Sequence, residues 1–191
     1  MGAGRVEAFS DGVIAVILTI MVLELKAPSN GEFAGLLALK LPLLNYLLSF
    51  VVIAIMWVNH RPLLKMARHI NAQILWANNM LLFWMSLIPF VTAYMGQTNA
   101  APLAVAVYGG VLAVTAASFT VLRLAIAAQH KTDETLARLH KRAHVKSTFG
   151  TLLYAASIPL AFVSVRSAFC IFILIPALYF LPESKLAPER D

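Results

Sequence analysis

Long runs without a charged side chain recur from one end of this sequence to the other, and nothing constrains its fold more. Gly12–Leu23, Leu41–His60 and the stretch from Ile70 to Leu122 carry no charge at all. A membrane-spanning helix needs about 20 predominantly apolar residues, and a soluble chain of this size has no use for so many such runs. The composition agrees, at 60% apolar and 13% charged residues with a mean hydropathy of +0.79. Open backbone cannot be satisfied in hydrocarbon, so each run is predicted to be α-helical.

Proline and turn residues divide the chain into six spans, about 5–25, 42–60, 72–94, 102–128, 145–163 and 168–181. Pro28 and a Ser-Asn-Gly turn close the first. Pro42 and Pro102 suit first helical turns, Pro89 predicts a kink in the third span, and Pro182 stops the sixth. A short external helix is expected at 32–40. The connection 129–144 also reads as a helix, with Thr132 as cap, Asp133 and Glu134 near its positive end, and Lys141 and Arg142 near its negative end. The predicted class is an all-α integral membrane protein, one six-helix domain over 1–191. The run from Gly12 to Leu23 has the length of a signal peptide core. Glu7, Asp11 and the poor cleavage site at Leu25–Pro28 argue for a retained helix.

Lysine and arginine placement sets the orientation. With the amino terminus inside, twelve basic residues fall on inner segments and three on outer ones, Lys26, Lys40 and Arg166. Both termini are therefore expected in the cytoplasm. The net charge of +6 resides mostly on the inner side, where anionic lipid headgroups account for it better than nucleic acid does.

Chemistry-bearing motifs are few. Cys170 is the single cysteine, expected in packing. His60 and His69 stand nine apart across a loop, without the spacing of a metal site. No Gly-rich phosphate loop, no GxSxG elbow and no paired carboxylates at catalytic spacing occur, so neither an enzyme nor a cofactor is expected. Trp57, Trp76 and Trp84 read as packing or interface anchors.

The first span is the exception. Arg5, Glu7, Ser10 and Asp11 stand at the edge of its apolar run, and an ionisable group there is costly enough to suggest a function. At 100° per residue, Phe9, Gly12, Val16, Thr19, Ile20 and Leu23 share one side, while Glu7, Ser10, Asp11, Leu18 and Leu25 share the other. The polar side is expected to meet helices of its own subunit. Spacing alone leaves lipid, another subunit or a pore for the apolar stripe, and leaves Asp11 as a cap, a buried hydrogen-bond partner or a proton site. By depth, Ser10, Asp11, Asn59, His60, Asn78 and Asn79 can form one inner polar layer in which Asp11 accepts hydrogen bonds. His60 could equally touch headgroups. Glu24, just beyond Leu23, is either an ordinary interfacial acid or a cation attractor at an outer mouth.

The pattern Arg5-x-x-x-Phe9-Ser10-Asp11, continuing as Gly12-Val13-Ile14-Ala15-Val16 and then Trp57-Val58-Asn59-His60, resembles the signature of the transmembrane protein 175 family. These are endosomal and lysosomal potassium channels and their bacterial relatives. The resemblance implies a homotetramer with the first helix of each subunit around a central pore. It implies bulky apolar rings at Val16, Ile20 and Leu23, with Thr19 as the polar contact for a permeating potassium ion. Arg5, Phe9, Ser10 and Asp11 would then be structural. The family's narrowest ring is commonly isoleucine or leucine, where this chain has Val16. Ala15 stands where the animal proteins, which resemble two copies of this unit, have serine. No TVGYG filter is present, so modest selectivity is expected in a bacterial inner membrane. Two alternatives stay open: a proton-coupled transporter using Asp11 and His60, and a membrane scaffold that transports nothing.

Overall fold

The computed structural model describes residues 2–28, 33–130 and 134–179. They form α1 (Ala3–Leu23), α2 (Phe33–Ala38), α3 (Lys40–Lys65), α4 (Ala72–Ser86), α5 (Ile88–Gln97), α6 (Pro102–Ala127), α7 (Glu134–Val163) and α8 (Val165–Tyr179), with a 3-10 turn at Ala128–His130. Among the described residues, four stretches are long and apolar enough to cross a membrane: Ala3–Leu23, Lys40–Lys65, Ala72–Gln97 and Pro102–His130. Val165–Tyr179 is apolar but shorter.

Several boundaries differ from the expected ones for identifiable reasons. The second span continues past His60 to Lys65, because Pro62 in its last turn removes only the bond to the Val58 carbonyl. The third span is two helices that meet at Leu87. Pro89 has no N–H, and its ring crowds the carbonyl of Met85, so α4 stops at Ser86. The Ser86 hydroxyl then donates to the Phe83 carbonyl at 2.7 Å. Pro89 takes the second position of α5, where no N–H is needed. From Glu134 onward, the connection and the fifth span are one continuous helix, α7. The four residues between the fifth and sixth expected spans, 164–167, contract to Ser164, whose Oγ accepts from the Ser167 amide at 3.3 Å and the Ser167 hydroxyl at 3.0 Å. Glu32, Thr132, Pro182, Lys185 and Arg190 lie outside the described residues.

The core centres on α6, which packs against α4, α5 and α7 and buries Ala104, Tyr108, Leu112, Leu122 and Ile126. Hydrocarbon supplies no water to polar groups, which favours pairing them inside the bundle. Ser49 donates to the Asn45 carbonyl at 2.9 Å and meets Thr92 Oγ1 at 2.7 Å and Tyr108 Oη at 3.0 Å. This links α3, α5 and α6. At the other end, Gln129 clamps the α3–α4 connection. Its Oε1 accepts from the Arg68 amide at 2.9 Å, and its Nε2 donates to the His69 carbonyl at 2.9 Å. Cys170, expected in packing, is exposed on α8.

Gly109 lets α6 approach α7 and α8. A Cβ there would stand 2.3 Å from Ser157 Oγ but 3.4 Å from the Phe172 ring, so the clash is with one hydroxyl. Gly109→Ala is expected to lower the thermal unfolding midpoint of the detergent-purified protein, at a cost of about 1–3 kcal/mol. Adding Ser157→Ala should restore most of that loss. Additive losses in the double variant would contradict this packing.

Candidate functional site

α1 has two unlike faces. Val6, Ser10, Ile14, Ile17 and Met21 recur at helical spacing and are buried against α3, α4 and α5. Phe9, Gly12, Val16, Thr19, Ile20 and Leu23 lie on the opposite side and are exposed in the single chain. Val16 is 55% exposed, Ile20 44% and Leu23 78%, which is a large unpartnered apolar stripe for one helix. Within it, the Thr19 hydroxyl donates to the Val16 carbonyl at 2.8 Å. Its proton is thereby occupied, and the hydroxyl oxygen is left to accept only.

The buried face carries a polar chain. Ser10 Oγ donates to the Val6 carbonyl at 2.8 Å and accepts from Asn78 Nδ2 at 3.0 Å. Asn78 Oδ1 and His60 Nε2 are 2.7 Å apart. An amide oxygen only accepts, so His60 carries its proton on Nε2. All three side chains are buried, and together they tie α1 to α4 and α4 to α3.

Asp11 lies beside this chain and outside it. Its Oδ1 accepts from Trp57 Nε1 at 2.8 Å, in place of the expected amides and imidazole. Glu7, one turn earlier, forms an ion pair with Arg61. Asn59 and Asn79 do not belong to the layer. The Asn59 amide donates to its own helix at Ile55, 2.8 Å away, and Asn79 is exposed. Helical geometry explains both departures: neighbouring residues diverge by about 100°, so Asn59 cannot face the way His60 does, nor Asn79 the way Asn78 does. Arg5 and Phe9, the other members of the motif, are exposed, as is Glu24 at the far end of α1. Glu24 borders a cleft that Lys26, Tyr46 and Gln97 also line. Among the described residues, no group of three or more His, Cys, Asp or Glu side chains could hold a metal ion.

Trp57 and the Glu7–Arg61 pair went unpredicted as links. Their signal lay in the depth comparison that brought His60 to Ser10, since Trp57 precedes His60 by three residues and Arg61 follows it by one.

Asn78→Ala removes the centre of the polar chain and leaves Ser10 and His60 with unmet partners. It should destabilise the protein by about 1–3 kcal/mol, read as a lowered unfolding midpoint in detergent. Asn79→Ala, on the exposed face, should change stability by less than about 0.5 kcal/mol. Similar losses from both would contradict the assignment.

Comparison with known proteins gives this geometry a context. Residues 5–89 match the family described as "Endosomal/lysosomal potassium channel TMEM175". A potassium channel of Chryseobacterium sp. (strain P1-3) is 35% identical over 187 residues, covering 97% of this chain and 96% of that one. A potassium channel of Chamaesiphon minutus is 34% identical, covering 95% of both chains, and one of Streptomyces collinus is 33% identical, covering 85% of this chain. The fold is similar to the crystal structure of a lysosomal potassium-selective channel TMEM175 homolog from Chamaesiphon minutus. The TM-score is 0.81 at 29% identity, over 93% of this chain and 95% of that one. These relatives are channels rather than enzymes. With the stretch from Arg5 to Pro89 matching and the likeness extending over nearly the whole chain, this membrane-embedded protein belongs to the TMEM175 family of potassium channels.

Proposed function

We propose that this protein is a potassium-permeable cation channel whose conduction path is walled by α1 from four identical subunits. The observation that carries the reading is the exposed stripe of Gly12, Val16, Thr19, Ile20 and Leu23 on a helix whose other side is buried. One such helix cannot enclose a path, so the reading requires an oligomer. Val16, Ile20 and Leu23 would form stacked apolar rings that control passage by diameter and dewetting. Thr19, exposed on the same stripe, supplies a polar contact for a partly dehydrated potassium ion. Val16 in place of a larger aliphatic side chain leaves room at its level and shifts the constriction toward Ile20 or Leu23.

In this reading six spans cross the inner membrane, the fifth and sixth supplied by 145–163 of α7 and by α8, and both termini are cytoplasmic. Ser10 and Asp11 hold the rotation of α1 through Asn78 and Trp57, and Arg5 and Phe9, exposed in the single chain, meet the neighbouring subunit. Glu24 lies at the outer mouth. Transport coupled to protons through Asp11 and His60 gains no support from the geometry, because His60 bonds Asn78 and Asp11 bonds Trp57.

Planar-bilayer recordings of the purified protein under opposed potassium and sodium gradients test the proposal. A current reversing near the potassium potential, without obligatory proton movement, is expected. Electrical silence under every cation gradient would favour a scaffold. Val16→Ala or Ile20→Ala should raise conductance or lower the preference for potassium, and unchanged currents from both would remove these residues from the path. Leu23→Cys should let an external thiol reagent block the current, whereas Leu18→Cys should not.

A further inference from the structure

α2 buries none of its residues in its own chain, although its sequence, Phe-Ala-Gly-Leu-Leu-Ala, is apolar on every side. Phe33 is 74% exposed, Leu36 59% and Leu37 57%. A helix that is apolar all round is ordinarily covered, by protein or by lipid.

Its place in the chain narrows what can cover it. The uncharged run Leu41–His60 rises about 30 Å as a helix, which already crosses a hydrocarbon core about 30 Å thick. Lys40, exposed, marks the end of that span, and α2 lies beyond it, at the end of the bundle opposite the amino terminus of α1. With six residues, or about 9 Å of rise, α2 is too short to cross. The helix breaks here for a local reason. Pro42 has no N–H for the Ala38 carbonyl, and its ring crowds that oxygen, so α2 ends at Ala38 and α3 starts afresh at Lys40.

Lipid fits this surface better than a second copy of the chain. Leu39, between the two helices, keeps right-handed helical angles (φ −80°, ψ −3°), so the apolar line of α3 runs on into α2. Phe33 and Leu37 precede Leu44 by eleven and seven residues, which places both within roughly 20° of it around the helix. Leu44, Leu47 and Val51 border an apolar groove with Phe169 and Ile173 of α8. Trp57 and Arg61, which bond α1, lie roughly 110° round α3 from that line. The line therefore faces away from α1, the helix through which copies of the chain would meet.

We propose that α2 lies at the boundary between headgroups and acyl chains in the leaflet opposite the amino terminus, with Phe33 and Leu37 among the upper acyl segments. Lys40 reaches the lipid phosphates from the same level. The short helix thereby anchors the connection between α1 and α3 to the bilayer surface. The inference needs a membrane-embedded chain and no conduction path, so its failure leaves the channel reading standing, and the reverse holds as well.

Spin labels introduced singly through Phe33→Cys and Leu37→Cys, on a Cys170→Ala background because Cys170 is exposed, test it in the intact assembly reconstituted into phosphatidylcholine vesicles. Electron paramagnetic resonance compares their collisions with oxygen, which concentrates in lipid, and with a water-soluble nickel chelate. Leu47→Cys, about 10 Å of helix inside Lys40, gives the lipid reference. Gln97→Cys, exposed at the end of α5, gives the water reference. The labels at positions 33 and 37 should show an oxygen-to-nickel ratio above that at 97 and below that at 47; either one suffices if the other variant fails to assemble. Leu36→Glu with Leu37→Glu should bring the label at 33 to the value at 97. A wild-type-background ratio equal to that at 97 would place α2 in water, and weak collisions with both reagents would mean that a second copy covers it. Either result, or a ratio at 33 unmoved by the two glutamates, would overturn the proposal.

Discussion

The buried hydrogen-bond chain from Ser10 through Asn78 to His60 is the contact on which the remaining geometry turns. Hydrocarbon offers nothing to an unsatisfied amide or imidazole, so these three groups must meet inside the protein, and only one rotation of α1 lets them. Once Ser10 faces Asn78, the period of the helix dictates what lies opposite. Val16, Thr19, Ile20 and Leu23 are left exposed on the far side. The polar residues of α1 thus act at a distance, setting the direction in which an apolar stripe looks.

Asp11 and Glu7 reinforce the same rotation at the margin of the bundle. Both pair with α3, the carboxylate of Asp11 with the Trp57 indole and that of Glu7 with Arg61. Neither points along the exposed stripe. The other half of the bundle uses the same logic, with Ser49 meeting both Thr92 and Tyr108. Two polar layers, one toward each end, register helices that apolar packing alone would leave free to slide, since lipid tails are as apolar as leucine.

Much of this was legible in the sequence because a bilayer leaves so few choices. Long uncharged runs demand helices, and the placement of α1, α3, α6 and α8 follows from run length and proline. The break at Leu87 was harder to foresee, because a proline within an apolar run can kink a helix or end it, and only the crowding at Met85 decides. The single helix α7 escaped for the opposite reason. No residue between the polar connection and the fifth span breaks a helix, and the change in polarity there marks no change in structure. In the site, depth could be counted and rotation around α1 could be computed, which brought Ser10, Asn78 and His60 together. The rotations of α3 and α4 have no such reference in the sequence, so depth alone does not separate Asn59 and Asn79 from neighbours that face elsewhere.

The central claim is that the apolar stripe of α1 faces an axis shared by four copies of the chain. A cryo-electron microscopy reconstruction of the assembled protein in lipid nanodiscs addresses it directly. The account predicts four-fold symmetry with α1 nearest the axis, Val16, Ile20 and Leu23 ringing it, and Asp11 still against Trp57 of its own subunit. An axis walled by any other helix, or Asp11 projecting into the central path, would contradict it.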